Sequence, residues 1–164
     1  MKILIIQTGG TIDKDYPKTD KGYAFEIGEP AVERVLTRVF PEFEFEIVRL
    51  FKKDSQEIMD ADRESLKETI QYSDINKVLI THGTDSMIET GLFLKDLADK
   101  TIALTGAFLP EKFKNSDADF NLGAAIAALQ LLEKGTFIVM NGLIIPVQHS
   151  VKNKKTGMFE RRHD

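Results

Sequence analysis

The 164-residue chain has the length of a single domain and contains no cysteine, which excludes disulfides, a thiol nucleophile and a thiolate metal site. Its net charge of -4, with 42% hydrophobic and 29% charged residues, is ordinary for a globular protein and argues against a nucleic-acid partner, which would require clustered Lys and Arg. No apolar run reaches the ~18 residues of a membrane-spanning helix, and the apolar start is too short for a signal peptide. We therefore expect a cytoplasmic protein with no membrane partner.

Five candidate strands recur along the chain, and those at residues 2–7, 77–81 and 136–141 are almost wholly apolar. Such runs are typical of parallel strands that are covered on both faces. The remaining strand candidates are 44–51 and 101–105, and helical periodicity fills the intervals at 30–40, 62–72, 86–97 and 122–132. This alternation predicts a three-layer α/β domain with a parallel sheet, in which Gly135 caps the last helix.

Two long segments fit no regular element, and both leave the carboxyl end of a predicted strand. Residues 13–28 follow the first strand, and residues 109–120 follow the fourth. Long loops in compact domains are often functional, and open α/β sheets bind ligands beyond the carboxyl ends of their strands. The sequence therefore predicts a site at this edge. The polar, poorly patterned tail at 146–164 is interpreted as an arm that docks elsewhere.

The first candidate motif is QTGGTI at residues 7–12, where an apolar strand ends at two glycines flanked by threonines. Gly9 and Gly10 allow a tight turn and a close approach of the backbone to a ligand. Thr11 supplies a hydroxyl, which becomes a nucleophile only if a neighbouring group takes its proton. The motif lacks the spacing of dinucleotide and phosphate-binding loops. It is therefore either a structural turn or part of a catalytic site.

The second candidate motif is THGTDSM at residues 81–87, which ends the third strand in the same way. Gly83 permits a sharp exit from the strand. Thr84 or Asp85 either N-caps the following helix or belongs to a site, in which Thr84 relays protons and Asp85 binds a cationic group. His82 has no second histidine or acidic residue at ligand spacing, so we expect no metal site.

Four further residues are candidates with weaker signals. Ser55 and Gln56, in DSQEIMD after the second strand, are suited to hydrogen-bond a small polar substrate, and Ser55 could equally cap the next helix. Asp119, in SDADFNL, is predicted to cap the last helix. Lys152 is a lone basic residue in the tail and by itself indicates no catalytic role.

Three stretches together resemble the signatures of the bacterial-type L-asparaginases: TGGTI at 8–12, HGTDSM at 82–87 and TGAFLP…NSDADFNL at 105–122. Their order and spacing agree with that family throughout, and the resemblance runs from residue 2 to about residue 158. It implies a Rossmann-like or flavodoxin-like asparaginase N-terminal domain. There are departures from the family pattern, since Ser86 replaces a threonine and Ala118-Asp119 replaces Asp-Gly.

The resemblance implies catalytic roles for individual residues. Thr11 matches the nucleophile that accepts the acyl group. Thr84 and Lys152 match a second threonine and the lysine that eases its deprotonation, and Asp85 matches the carboxylate that binds the substrate ammonium. Lys152 is placed by counting from the VMN stretch at 139–141. The main-chain N–H groups of residues 11 and 84 would hold the oxyanion.

The resemblance also implies a substrate-binding set and a loop aromatic. The substrate-binding set is Ser55, Gln56, Gly83 and Ala107. Tyr23, within KGYAF, matches the tyrosine of a flexible loop beside the nucleophile. Phe25 is an alternative for that position, and a phenylalanine cannot take part in proton chemistry.

The implied reaction is the hydrolysis of L-asparagine to L-aspartate and ammonia, without a cofactor or a metal. We expect a homo-oligomer, a dimer or higher, made of one asparaginase N-terminal-type domain at 1–164, with the C-terminal domain of the family absent. One alternative is a glutaminase or another small-amide hydrolase. Others are a non-catalytic amino-acid-binding module, a module that depends on a partner chain, and a domain cut from a longer protein.

Overall fold

The computed structural model describes residues 1–162 and shows a central sheet between two helical layers. The six strands of the sheet are β1 (Lys2–Gly9), β2 (Glu44–Lys53), β3 (Lys77–Thr81), β4 (Thr101–Thr105), β5 (Gly135–Met140) and β6 (Leu143–Pro146). The four helices are α1 (Ala31–Val39), α2 (Asp60–Gln71), α3 (Met87–Leu94) and α4 (Ala118–Leu131). Each predicted strand and helix is present, with its ends shifted by a few residues.

The strands lie in the order β6-β5-β4-β3-β1-β2, and all but β6 run parallel to their neighbours. This order confirms the predicted flavodoxin-like α/β fold. The chain passes from β1 to β2 on one side and then returns to β3 on the other, so the strand order reverses between β1 and β3. In open α/β sheets, ligands bind in the crevice beyond the carboxyl ends of the strands at such a reversal.

Alternating side chains along β1 explain the two helical layers. Ile3 and Ile5 pack with α1 and α4, whereas Leu4 and Ile6 pack with α2 and α3. All four side chains are buried. Because both faces are covered, the inner strands are apolar throughout rather than alternating, as their sequence predicted. No helix among residues 1–162 is long and apolar enough to cross a bilayer.

The prediction that Gly135 caps the last helix is wrong. Helix α4 ends at Leu131, and Gly135 is already the first residue of β5, with a φ of 139°. Its N–H donates to Lys100 O at 2.9 Å, which fixes the start of β5 beside the start of β4. A helix cap and this strand entry both select glycine for a positive φ, so the residue type alone did not separate them.

The antiparallel edge strand β6 is absent from the sequence-based prediction. It follows a two-residue turn at Asn141 and Gly142, whose φ angles are 53° and 78°. Two positive φ values in succession are typical of the type I′ turn, whose right-handed twist suits a β-hairpin. The Asn-Gly pair is therefore the sequence signal for β6.

The tail forms a hairpin on this domain, so the prediction of an arm that docks elsewhere is wrong for residues up to 162. Ser150–Lys152 pairs antiparallel with Phe159–Arg161. Phe159 is 1% exposed and packs in the core layer that contains α2 and α3. This buried ring anchors the hairpin, which explains why a polar segment holds a fixed position. Residues 163 and 164 lie outside the described residues.

Candidate active site

The two candidate motifs lie side by side because their strands are neighbours. In the register of β1 and β3, Gln7 is opposite Thr81, so the next residues of each motif leave the sheet together. Thr8 Oγ1 donates to Thr81 O at 2.8 Å, and this buried bond ties the two strand ends. The two motifs thus converge at one edge of the sheet, as predicted.

Beyond the strand ends, the backbones of the two turns touch at Gly10 and Gly83. A Cβ on Gly10 would overlap Gly83 Cα and N, and the φ of 87° at Gly10 is itself in the region that favours glycine. A Cβ on Gly83 would lie 2.7 Å from Ser55 Cβ. Glycine is required at both positions by close approach, so Thr11 and Thr84 each follow directly after a point of backbone contact.

Thr11 is the first residue of a single 3-10 turn, Thr11–Asp13, and its side chain is half-buried at the edge of the crevice. Within residues 1–162, neither the main-chain N–H of Thr11 nor that of Thr84 donates a hydrogen bond to another residue. Two unused donors beside a half-buried hydroxyl are the groups that an acyl-transfer site needs for its oxyanion.

Lys152 lies between Thr84 and Asp85. Its Nζ donates to Thr84 Oγ1 at 3.1 Å and to Asp85 Oδ1 at 2.7 Å. The Lys152 ammonium, with a smaller effect from the Gln56 amide, holds the pKa of the Asp85 carboxyl below its usual range. Asp85 is therefore ionised at neutral pH, and the hydroxyl of Thr84 lies next to a cation that favours negative charge on its oxygen.

Ser55 and Gln56 occupy a 3-10 turn that follows β2, and both contact the second motif. Ser55 is buried, and its Oγ accepts a hydrogen bond from Asp85 N at 3.2 Å. Gln56 Nε2 donates to Asp85 Oδ2 at 2.8 Å. The alternative that Ser55 caps the next helix is wrong, since Met59 occupies the N-cap position of α2. The 3-10 turn is capped by Asp54, which accepts from Gln56 N.

The alternative that Thr84 or Asp85 caps α3 is also wrong. The residue at the N-cap position is Ser86, which makes no side-chain capping bond. Its Oγ donates instead to Ser55 O at 2.5 Å, and so joins the second motif to the 3-10 turn after β2. Both carboxylate oxygens of Asp85 are engaged by Lys152 and Gln56, which leaves the side chain at the site and not on the helix.

Ala107 and the loop aromatics stand apart from this cluster. Ala107 is 1% exposed, and its methyl group is buried in the core with α1 and α4. Tyr23 is 65% exposed on a short hairpin and stacks on Tyr16, with ring centroids 5.6 Å apart. Phe25 packs against Phe113, with centroids 6.2 Å apart, and lies beneath the ammonium of Lys14.

Two groups of residues near the site escaped the sequence analysis. Asp117 accepts from the N–H groups of Phe108 and Leu109, each at 3.0 Å, and so holds the loop that follows β4. The prediction that Asp119 caps the last helix is wrong, because Asp117 occupies the N-cap position and Asp119 pairs with Arg38. Spacing alone does not distinguish two aspartates at a helix start.

The second group that was missed surrounds His82, which is fully buried beneath the Gly83 turn. Its Nδ1 lies 2.7 Å from Gly83 O and its Nε2 lies 2.9 Å from Thr90 Oγ1. Burial lowers the pKa of the His82 imidazole to about 4. The sequence suggested this histidine as a metal ligand or a general base, and no spacing rule connects it to Thr90.

Comparison with known proteins places the chain in a family. Residues 2–160 match the family model of the asparaginase N-terminal domain. The chain is 28% identical over 163 residues to a glutaminase-asparaginase of Acinetobacter glutaminasificans, and the match covers 92% of this chain and 49% of the relative. The chain therefore spans about half the length of the curated relatives it matches.

Solved structures show the same fold. The thermostable L-asparaginase from Thermococcus kodakarensis superposes with a TM-score of 0.85 at 24% identity, covering 98% of this chain and 51% of that one. A probable cytoplasmic L-asparaginase from Campylobacter jejuni gives a TM-score of 0.73 at 29% identity, covering 92% of this chain and 49% of that one.

The family match takes in the sheet, all four helices and the residues at the strand reversal. The matched residues include Thr11, Ser55, Thr84, Asp85 and Lys152. The sequence and the fold thus agree. The chain belongs to the asparaginase family, whose N-terminal domain it matches.

Proposed function

We propose that this chain is an L-asparaginase-like amidohydrolase that converts L-asparagine to L-aspartate and ammonia, with Thr11 as the nucleophile. The observation that carries the proposal is the position of Lys152, 3.1 Å from Thr84 Oγ1 and 2.7 Å from Asp85 Oδ1. A hydroxyl, a carboxylate and a cation together at the strand reversal suit proton transfer beside a bound amino acid. Membership of the asparaginase family supports the choice of substrate.

In the proposed reaction, Thr11 Oγ attacks the carbon of the side-chain amide. The proton of Thr11 passes by way of Thr84 to the amide nitrogen, the C–N bond breaks, and ammonia leaves an ester on Thr11. Water then attacks the ester, so that aspartate is released and the proton returns to Thr11. The Lys152 ammonium favours negative charge on the Thr84 oxygen during both transfers.

The N–H groups of Thr11 and Thr84 are the proposed oxyanion donors. Neither donates within residues 1–162, and the contact of Gly10 with Gly83 brings the two turns together. Fixed main-chain donors act without reorganisation when charge develops on the substrate oxygen. Loss of one such donor lowers turnover by ~10²–10³-fold in enzymes of this type.

We assign the remaining residues to substrate binding. Asp85 is ionised and suits the α-ammonium group of asparagine. Gln56 and Ser55 surround that carboxylate and suit the polar groups on the same carbon. The main chains of Gly83 and Ala107 complete the set. Tyr23 is proposed to contact the substrate when its loop lies over the site, and Phe25 is the alternative residue for that contact.

The test is the release of ammonia from L-asparagine by the purified chain, compared with Thr11→Ala and Thr11→Ser. We expect release from the natural chain, none from Thr11→Ala and partial activity from Thr11→Ser, which keeps a hydroxyl. Thr37→Ala is a matched control, because Thr37 is exposed on α1, and it should keep full activity. Undiminished release from Thr11→Ala would refute the mechanism.

A second candidate is a glutaminase or another small-amide hydrolase that uses the same residues. The relative named a glutaminase-asparaginase favours it. Rates measured side by side on asparagine, glutamine and short aliphatic amides separate these substrates. A third candidate is a module that binds amino acids without turnover, or only with a partner chain. Calorimetry that shows asparagine binding with no ammonia released would favour that reading.

We also propose that residues 1–164 fold as one domain, that the chain acts in the cytoplasm, and that it assembles as a dimer or higher oligomer. A structural relative named as probably cytoplasmic supports the location. Fractionation of the native host tests it, and recovery in an exported fraction would contradict it. Mass measurement in solution tests the assembly, and a monomer at micromolar concentration would contradict it.

A further inference from the structure

His82 directly precedes the peptide that joins Gly83 to Thr84, and no step of the proposed reaction uses its side chain. The ring is fully buried, yet both nitrogens are within hydrogen-bond distance of a partner: Gly83 O at 2.7 Å and Thr90 Oγ1 at 2.9 Å. Burial lowers the pKa of the imidazole to about 4, so at neutral pH the ring carries a single N–H.

The partners decide which nitrogen carries that hydrogen. Gly83 O is a carbonyl and can only accept, so Nδ1 of His82 must donate to it. The other nitrogen, Nε2, is then an acceptor. Thr90 must therefore donate its hydroxyl hydrogen to Nε2, and its own oxygen accepts from Arg63 Nε at 3.3 Å. The direction of every bond in the series is fixed by chemistry.

Arg63, at the outer end of this series of hydrogen bonds, is held in place by ion pairs. The guanidinium of Arg63 has a side-chain exposure of 4%, and it pairs with Asp60 Oδ1 and Glu89 Oε2, each at 3.0 Å. Three parts of the fold thus contribute to one series of hydrogen bonds, because Arg63 lies on α2, Thr90 lies on α3 and His82 directly follows β3. The series runs from surface carboxylates to the carbonyl of Gly83.

That carbonyl belongs to the same planar unit as the N–H of Thr84. In a trans peptide the C=O and the N–H point in opposite directions, so fixing one direction fixes the other. The Gly83 carbonyl is directed to the buried ring of His82. The N–H of Thr84 is therefore directed away from the ring, on the crevice side of the turn, where it donates to no other residue among 1–162.

We propose that His82 is a positioning residue that sets the direction of the Thr84 N–H, and that Thr90 and Arg63 fix the tautomer by which it does so. The inference rests on the proposed function, in which this N–H receives the developing oxyanion. His82 itself touches no reacting atom. A histidine that only fills the core would need neither a defined tautomer nor a bond to this particular carbonyl.

Two substitutions separate the two nitrogens. In His82→Asn, the amide nitrogen has the same number of bonds from Cβ as Nδ1 and can still donate to Gly83 O. In His82→Gln, the amide nitrogen matches Nε2 and reaches Thr90, and Gly83 O loses its donor. Both variants place a neutral amide in the same cavity, so each controls for the other. Thr90→Val, with Thr90→Ser as its control, tests the outer bond.

Steady-state kinetics give the first readout. We expect kcat of His82→Gln to fall by ~10–10²-fold with little change in KM, which is less than the full loss of an oxyanion donor because the N–H remains present. His82→Asn should recover most of that loss, and Thr90→Val should lie between the two. Equal losses in His82→Asn and His82→Gln would overturn the proposal.

Nitrogen-15 NMR gives a readout that does not depend on turnover. In the natural chain the His82 signals should report hydrogen on Nδ1, and a ring with hydrogen on Nε2 would overturn the proposal. The Thr84 amide signal should move or broaden in His82→Gln and keep its position in His82→Asn. If the natural chain releases no ammonia while these shifts appear, the proposed function fails and the positioning role stands. If ammonia is released and the shifts do not appear, the proposed function stands and the positioning role of His82 fails.

Discussion

The side-chain nitrogen of Lys152 lies 3.1 Å from the hydroxyl of Thr84, although 68 residues separate the two in sequence. The hairpin that carries Lys152 reaches this position because Phe159 on its second strand is buried in the core. The same ammonium is 5.9 Å from the centre of that ring. One buried aromatic residue therefore determines where the cation of the site lies.

Replacing Lys152 with methionine should remove this cation while keeping a side chain of similar length. We expect kcat to fall by ~10²–10³-fold, since Thr84 loses the charge that favours its deprotonated form. The pKa of Asp85 should rise toward its ordinary value, because Lys152 is the largest cause of its depression. Kinetics over a range of pH measure both effects. Lys154→Met, an exposed lysine in the same hairpin, should change neither.

Gly10→Ala should disrupt the contact between the two turns. The new methyl group would overlap the backbone of Gly83, and the φ of 87° with ψ of -176° at Gly10 is strained for any other residue by about 1–3 kcal/mol. We expect lower stability in urea and loss of turnover in whatever protein remains folded. Gly123→Ala is the matched control, because its Cβ would meet no atom within 4 Å and α4 should gain about 0.5–1 kcal/mol. Normal activity in Gly10→Ala would show that the two turns do not need this contact.

Asp13 should make stability fall as pH rises from about 4 to about 6. Burial raises the pKa of its carboxyl from 3.8 to about 6, against the opposing effects of the Ala31 N–H and Gln7. Between these values the folded state holds a proton that the unfolded chain has released, so a rise in pH favours unfolding. A shift of this size corresponds to about 3 kcal/mol. Urea titrations at several pH values measure it.

Asp13→Asn should remove that slope and raise stability at pH 7. Within residues 1–162, Asp13 Oδ2 and Gln7 Oε1 are both buried acceptors without a hydrogen-bond partner. An amide at position 13 supplies a donor to this pair and still accepts from Ala31 N, as Asp13 Oδ1 does at 2.7 Å. Asp20→Asn, at an exposed loop position, should leave the pH profile as it is. An unchanged slope in Asp13→Asn would assign the pH dependence to another group.

Asp117→Ala should destabilise the chain far more than Asp119→Ala. Asp117 accepts from the N–H groups of Phe108 and Leu109, which would be left without a partner. It also accepts from Asn121 Nδ2, which would keep its bond to Gly106 O. Hydrogen bonds to a charged group contribute about 1.5–3 kcal/mol each at most sites. Asp119 is exposed and, among residues 1–162, pairs with Arg38 alone, so its loss should cost less than about 1 kcal/mol. Thermal unfolding compares the two, and equal losses would show that the loop after β4 does not depend on Asp117.

The fold was predictable because the inner strands carry their own signal. Apolar runs such as those that became β1 and β3 are typical of strands buried on both faces, and they alternate with helical periodicity. The edge strand β6 has only a short apolar run, at residues 143–145, which ends at Pro146, and its Leu143 and Ile144 are exposed. Its signal was the turn at residues 141–142, which local apolar patterning does not detect.

The site was predictable only where the chain is locally constrained. Gly10 and Gly83 mark the ends of β1 and β3, and neighbouring parallel strands bring their carboxyl ends together. The positions of Lys152 and His82 depend instead on tertiary packing, of the hairpin in one case and of α2 against α3 in the other. The resemblance to the asparaginases indicated Lys152, and no local feature of the sequence indicated the bond of His82 to Gly83 O.

Because Lys152 lies late in the sequence, it is synthesised after the other residues of the site. Thr11 and Thr84 emerge from the ribosome well before Lys152, and domains begin to fold as their residues appear. Strands β1 and β3 can therefore pair, and Gly10 can contact Gly83, before the hairpin has formed. That hairpin consists of Ser150–Lys152 and Phe159–Arg161. At that stage the nascent chain has the proposed nucleophile, Thr11, but Lys152 is not yet beside Thr84. In the proposed mechanism, the cation beside Thr84 is therefore in place only after Phe159 has entered the core, so cleavage would depend on that late step of folding.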